Sequence, residues 1–121
     1  MHNRLNIKDK MKIVKVSYTT SADYAAQNIA NVQAVMNELQ QLNAGGINYN
    51  TCLQEDGKTF IHTAFFKTEK DEHILNELSS FKQFRQALKA SDPEVPPKQD
   101  RLTLVGTSTE IFKSETATHE I

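Results

Sequence analysis

Over residues 12–19, KIVKVSYT, apolar and polar positions alternate with a period of two. Val14, Val16 and Tyr18 fall on one side of an extended chain and Lys15, Ser17 and Thr19 on the other. This predicts a first strand. The period then changes: Ala25, Ile29, Val32, Met36 and Leu39 recur at steps of four, three, four and three, while Gln27, Asn31, Glu38 and Gln41 stay outside that stripe. The pattern is that of an amphipathic helix. Thr20 and Ser21 are placed to cap it, Thr20 with Asp23 has the spacing of a capping box, and Asn43 to Gly46 ends it with a glycine available for the left-handed C-terminal position.

Ile47, Tyr49, Thr51 and Leu53 alternate with Asn48, Asn50 and Cys52, and after Asp56-Gly57 residues 59–66, TFIHTAFF, alternate again. The two runs predict a hairpin, because Asp-Gly suits the primed turns whose twist matches the flanking strands. Helical spacing returns from Thr68 to Ala90 through Ile74, Leu75, Leu78, Phe81, Phe84 and Leu88. Ser79-Ser80 interrupts it, and Ser80 with Gln83 has capping-box spacing, which predicts two abutting helices. Residues 91–100 hold Pro93, Pro96 and Pro97 and read as a loop. The last strand is then expected where Leu102, Leu104 and Gly106 alternate with Thr103, Val105 and Thr107.

Strand, helix, hairpin, helix, strand is the split βαβ arrangement, a ferredoxin-like βαββαβ fold of the α+β class. Two helical layers cover one face of a four-stranded antiparallel sheet. Residues 12–112 form this domain. Residues 1–11 read as a polar N-terminal extension, or as a stretch ahead of an alternative start at Met11, and residues 113–121 as a disordered tail. On the third strand Ile61, Thr63 and Phe65 share a face with Val105 and Thr107 of the expected last strand. They lie opposite Phe60, His62, Ala64, Phe66, Leu104 and Gly106. Neither face is wholly polar, so a partner is expected on the face the helices leave open, and a symmetric homodimer is the commonest solution.

Composition narrows the partner classes. With 121 residues the chain is sized for one core. Its 14 lysines and arginines against 15 acidic residues give a net charge of -1, which offers no broad attraction to phosphate backbones or anionic membranes. One cysteine, Cys52, excludes an internal disulfide and any thiolate zinc cluster built by this chain alone. It reads as a small buried hydrophobe on its strand. The start MHNRLNIKDK lacks an apolar signal core and no membrane-length apolar run follows, so the expectation is a cytoplasmic protein with no membrane partner.

The element order, with the stretch FFKTEKDEHILNELSSFKQFRQALKA, resembles the dimeric α+β-barrel superfamily and its antibiotic-biosynthesis-monooxygenase-like, quinol-monooxygenase-like branch. The resemblance spans residues 12–112. It implies sheet-to-sheet homodimers, a small aromatic or quinone-like ligand held between sheet and helices, and oxidation by some members without metal or flavin; no cofactor is expected. Haem-degrading relatives use a tryptophan, a histidine and an asparagine, but this chain has no tryptophan and carries Arg85 where the haem-binding histidine would stand. The stress-responsive branch usually has a histidine at the start of strand one, where Val14 and Val16 stand here. RNA-recognition domains share the topology, and Phe60 fits one of their aromatic positions. The accompanying glycine and second aromatic are missing, so no nucleic-acid partner is expected.

Within that frame His62 is the candidate catalytic residue. A mid-strand imidazole between Phe60 and Ala64 can act as a base or hydrogen-bond a phenol; equally, it can be a satisfied half-buried histidine. Tyr18, Asn50, Phe66 and Arg85 are the candidate ligand-binding residues. Tyr49 neighbours Asn50, but alternation puts those two on opposite faces, so both cannot serve one pocket, and core or interface packing also accounts for the tyrosines. Arg85 can meet an anionic group or stand solvated. His73, four residues from Glu69 and from Glu77, has the spacing of surface charge pairs more than of a metal site. No acid/base pair, metal set or phosphate loop stands out, which leaves two function classes: a cofactor-independent monooxygenase of a small aromatic compound, and a non-catalytic ligand-binding or regulatory module.

Overall fold

The computed structural model describes residues 11–113; the expectations for residues 1–10 and 114–121 lie outside the described residues. The element order is β1 (Lys12–Thr19), α1 (Ala25–Leu42), β2 (Ile47–Leu53), β3 (Thr59–Phe66), α2 (Glu69–Glu77), α3 (Ser79–Ala90) and β4 (Val95–Leu102). The four strands form one sheet in the order β2-β3-β1-β4, antiparallel throughout. Each helical crossover joins strands that leave one strand between them, which is the expected ferredoxin-like α+β arrangement. No helix among the described residues is long and apolar enough to cross a membrane.

Register determines which side chains share a face. Val14, Val16 and Tyr18 of β1 stand opposite Ala64, His62 and Phe60 of β3, and Tyr49 and Thr51 of β2 flank Ala64 and His62 from the other side. Burial on β3 alternates accordingly: Phe60, His62, Ala64 and Phe66 are buried, while the residues between them are half-buried. The helices cover the first set, and Val32, Val35, Leu75, Leu78, Phe84 and Leu88 complete the core. Burial along α1 centres on Ala25, Asn28, Val32 and Val35, with Ile29, Met36 and Leu39 at its margin.

Three local expectations are corrected. The helix begins at Ala25 rather than after Thr20. Thr20 is fully buried and its hydroxyl donates to the Ser21 carbonyl (2.8 Å), while Ser21 Oγ accepts from Tyr24 N (3.2 Å) in a turn ahead of the helix. The hairpin closes through a longer loop than a two-residue turn: Gln54 N donates to the Thr59 carbonyl (2.8 Å), and Gly57, at φ 75°, carries the positive backbone angle. Ser80 does not cap α3 from within. Its hydroxyl and backbone N–H both donate to the Glu38 carboxylate of α1, at 2.5 and 3.2 Å. A carboxylate from another helix thus meets the orphan donors at the start of α3. The break between α2 and α3 is where the serines place it, at Leu78.

The largest correction concerns the last strand. β4 runs through the proline segment, and residues 103–113 contain no strand. Two features let Pro96 and Pro97 be extended here. β4 pairs only with β1 and is therefore an edge, and its register slips between Ser17↔Lys98 and Thr19↔Val95, so the prolines fall in a bulge where the ladder needs no N–H. Val105, expected on a sheet face, is fully exposed. The segment returns to the opposite sheet edge, where Asn48 Nδ2 donates to the Ile111 carbonyl (2.8 Å) and Lys113 N to the Gly45 carbonyl (3.3 Å). Cys52 is exposed rather than buried, because it faces away from the helices opposite Ile61.

Candidate functional site

A cavity of about 890 Å³ lies between the helix side of the sheet and α2–α3. Val14, Val16 and Tyr18 of β1, with His62, Ala64 and Phe66 of β3, form its floor, and Leu75, Phe81, Phe84 and Leu88 form the opposite wall. Exposed side chains of Arg85, Lys89, Pro96 and Gln99 stand at the rim. The volume lies within the range of small-molecule sites and leaves room for an aromatic ligand, and the lining is mainly apolar with few polar groups.

His62 is 4% exposed and carries the polar core of that lining. Its Nε2 lies 2.8 Å from the Tyr18 hydroxyl, and its Nδ1 lies 2.7 Å from the Tyr49 hydroxyl and 3.1 Å from Thr51 Oγ1. Tyr18 accepts a further bond from Asn28 Nδ2 of α1 (2.8 Å). Aromatic rings enclose the group: Phe84 sits 5.4 Å from the His62 ring centroid, and Phe60 stacks on Tyr18 at 5.4 Å. Adjacent strands make this possible, since Tyr18, His62 and the Tyr49–Thr51 pair project from β1, β3 and β2 on one face within a few residues of register.

Burial governs the protonation of the cluster. Desolvation lowers the His62 pKa to about 4, so the ring is neutral at neutral pH. The same effect pushes the Tyr18 and Tyr49 hydroxyls above the usual tyrosine range, against the lowering influence of Asn28 on the first and Thr51 on the second. The cluster is therefore an uncharged chain of hydrogen bonds. Both ring nitrogens of His62 are engaged, so a ligand meets the tyrosine hydroxyls before it can meet the imidazole.

Four of the five candidate residues meet in this one cavity. His62, Tyr18 and Phe66 lie in its floor, and Arg85 stands at the rim with its guanidinium 5.6 Å over the Phe81 ring and, among the described residues, no ion-pair partner. Asn50 does not join them. It is exposed on the other face of the sheet and donates to Asn48 Oδ1 (2.6 Å), leaving Tyr49 as the β2 residue in the site. Asn28 and Thr51 were missed by sequence reasoning. The available signal for Asn28 was its place in the helical stripe, three residues after Ala25 and four before Val32. Glu72 at the cavity edge is paired with Lys12 (3.1 Å). Among the described residues no three histidine, cysteine or acidic side chains gather as a metal-ligand group.

No protein-family model and no curated protein matches the chain. Solved structures do. A protein of Bacteroides thetaiotaomicron assigned to the antibiotic biosynthesis monooxygenases superposes with a TM-score of 0.72 at 7% identity, covering 83% of this chain and 94% of that one. A Caulobacter crescentus protein of the same assignment gives 0.69 at 13% identity over 88% and 100% of the two chains. One from Nitrosomonas europaea gives 0.63 at 18% over 78% and 90%. At such identities the likeness is one of architecture: this chain has the ferredoxin-like α+β fold of the antibiotic-biosynthesis-monooxygenase-like proteins.

Proposed function

We propose that the chain is a cofactor-independent monooxygenase of a small aromatic, quinol-like compound, working as a homodimer joined through the open face of its sheet. The observation that carries the reading is the buried neutral His62, held between two tyrosine hydroxyls on the wall of an aromatic cavity. A substrate with an acidic CH₂, the keto form of a phenol, loses a proton; the resulting anion reduces dioxygen and forms a C–O bond to it. The hydroperoxide then loses water, so that R₂CH₂ and O₂ become R₂C=O and H₂O, with one oxygen atom in each product. The chain's part is to accept the first proton and return one to the departing hydroxide. The Tyr18 hydroxyl, already on His62 Nε2, is the path for that proton. Burial disfavours an imidazolium here, and negative charge developing on the substrate beside it is what offsets the desolvation.

One observation favours the rival, a binding module without catalysis: neither His62 nitrogen is free. Oxygen uptake by purified protein with a panel of quinols and phenols separates the two. Uptake with the parent and its loss in His62→Gln, with ligand binding kept, supports the oxygenase; binding without uptake across the panel refutes it. The dimer reading rests on Ile61 and Phe65, half-buried on the open face, and on exposed Leu102 and Val95 beside them. Light scattering at micromolar concentration should give twice the chain mass, and a single-chain mass refutes it.

A further inference from the structure

Asn28 is fully buried, and among the described residues its Oδ1 is the buried side-chain polar atom that has no hydrogen-bond partner. An unmet buried acceptor has given up its water partners on folding without replacement. The amide stands with Nδ2 toward the Tyr18 oxygen at 2.8 Å, and this orientation sets the sense of the bonds beyond it. With Nδ2 toward Tyr18, the protons along the cluster follow. The Tyr18 oxygen accepts from Asn28, and the one remaining acceptor within reach of its hydrogen is His62 Nε2, so Tyr18 donates there. The neutral ring then carries its proton on Nδ1 and donates to the Tyr49 oxygen at 2.7 Å. Thr51 Oγ1 lies 3.1 Å from the same ring nitrogen, beside this bond. The Tyr49 oxygen accepts from the ring, and its own hydrogen is left for the cavity it lines.

We infer that Asn28 is a positioning residue that holds His62 in the Nδ1–H tautomer through Tyr18, so that Tyr49 presents a hydrogen to the cavity and the ligand carries an acceptor oxygen there, a ring carbonyl or the oxyanion formed from it. The ligand half rests on the cavity being the aromatic-ligand site proposed above; the tautomer half does not. In the proposed reaction the arrangement places a donor, itself polarised by the bond from His62, where charge develops on the substrate oxygen.

Nitrogen-15 shifts of the His62 ring at neutral pH test the first half on the parent alone: Nδ1 protonated and Nε2 bare is the expected result, and the reverse overturns it. Asn28→Leu should raise the Nε2–H population several-fold, and unchanged populations in a folded variant overturn the role of Asn28. For the second half, naphthoquinone and naphthalene are titrated into parent and Tyr49→Phe. Loss of one hydrogen bond should weaken the quinone by about 3- to 10-fold and leave naphthalene unchanged. Equal quinone affinity in both proteins overturns the acceptor-oxygen assignment. Failure of both probes to bind overturns it together with the aromatic-ligand reading, while the ring shifts still decide the tautomer.

Discussion

The two faces of β3 come from one eight-residue strand and have different chemistry. On the covered side Phe60, His62, Ala64 and Phe66 are buried, and the one polar group among them is tied into bonds reaching β1, β2 and α1. On the open side Ile61, Thr63 and Phe65 are half-buried, among half-buried Lys15 and Ser17 and exposed Asn50. A polar side chain on the open face keeps solvent as a partner. One on the covered face must find its partners in the protein, and this requirement gathers Asn28, Tyr18, His62 and Tyr49 into a single cluster.

The contrast is broken most directly by shortening one aromatic on each face. Phe60→Ala removes a ring that is 2% exposed and stacked on Tyr18, and should cost about 3–5 kcal/mol in denaturant unfolding. Phe65→Ala should cost about 1–2 kcal/mol, since its ring is half-exposed in the single chain. Should the cost at Phe65 rise with protein concentration, a second copy covers that face, as mass action requires. Equal, concentration-independent costs at both positions would contradict the two-face description.

Acid should weaken the covered face selectively. His62 has a native pKa of about 4 against an ordinary 6.5, so the unfolded chain binds more protons between those values. The contribution is fully present above pH 6.5 and is lost as pH falls toward 4, by about 3 kcal/mol. His62→Gln should flatten that part of the stability profile. An identical profile in parent and variant would show that His62 is not the group responsible.

The covered face also depends on how its helices begin. Thr68 and Asp71 form a capping box at the start of α2, and a Cβ on Gly46 would collide with the Asp71 carboxylate. Gly46→Ala should therefore cost about 1–2 kcal/mol through the broken cap, whereas Gly106→Ala, with nothing within 4 Å of the added carbon, should be neutral. Unchanged melting in the first variant would mean that the cap re-forms elsewhere.

Periodicity carried most of the fold because the hairpin and the α2–α3 break bury what their spacing says they bury, whereas the buried stripe of α1 is turned from the predicted one toward Asn28 and Val35. It failed at β4, where alternation in residues 102–107 looked like a strand and the prolines looked like a loop. Edge position and a bulge are properties of the sheet, and no window of sequence contains them. The same holds for Ser80, whose partner Glu38 lies 42 residues away. In the site, His62, Tyr18 and Phe66 were legible as one face of adjacent strands. Asn28 was not, because a lone polar residue in a helical stripe becomes meaningful only when its neighbour across the core is known.

The finest test of the contrast lies on β2, where Tyr49 and Asn50 are adjacent in sequence and point to opposite faces. Asn50 is exposed, and its bond to Asn48 competes with water at little net gain. Asn50→Ala should change stability by less than about 0.5 kcal/mol, and it should leave quinone binding and the His62 ring shifts as they are. Tyr49→Phe next to it removes the partner of His62 Nδ1, so the ring must turn to Thr51 at 3.1 Å, and its shifts should move even where stability changes little. If Asn50→Ala disturbs the ring as much as Tyr49→Phe does, the sheet does not separate the two faces, and the candidate site extends through it to the side where a second copy is proposed to sit.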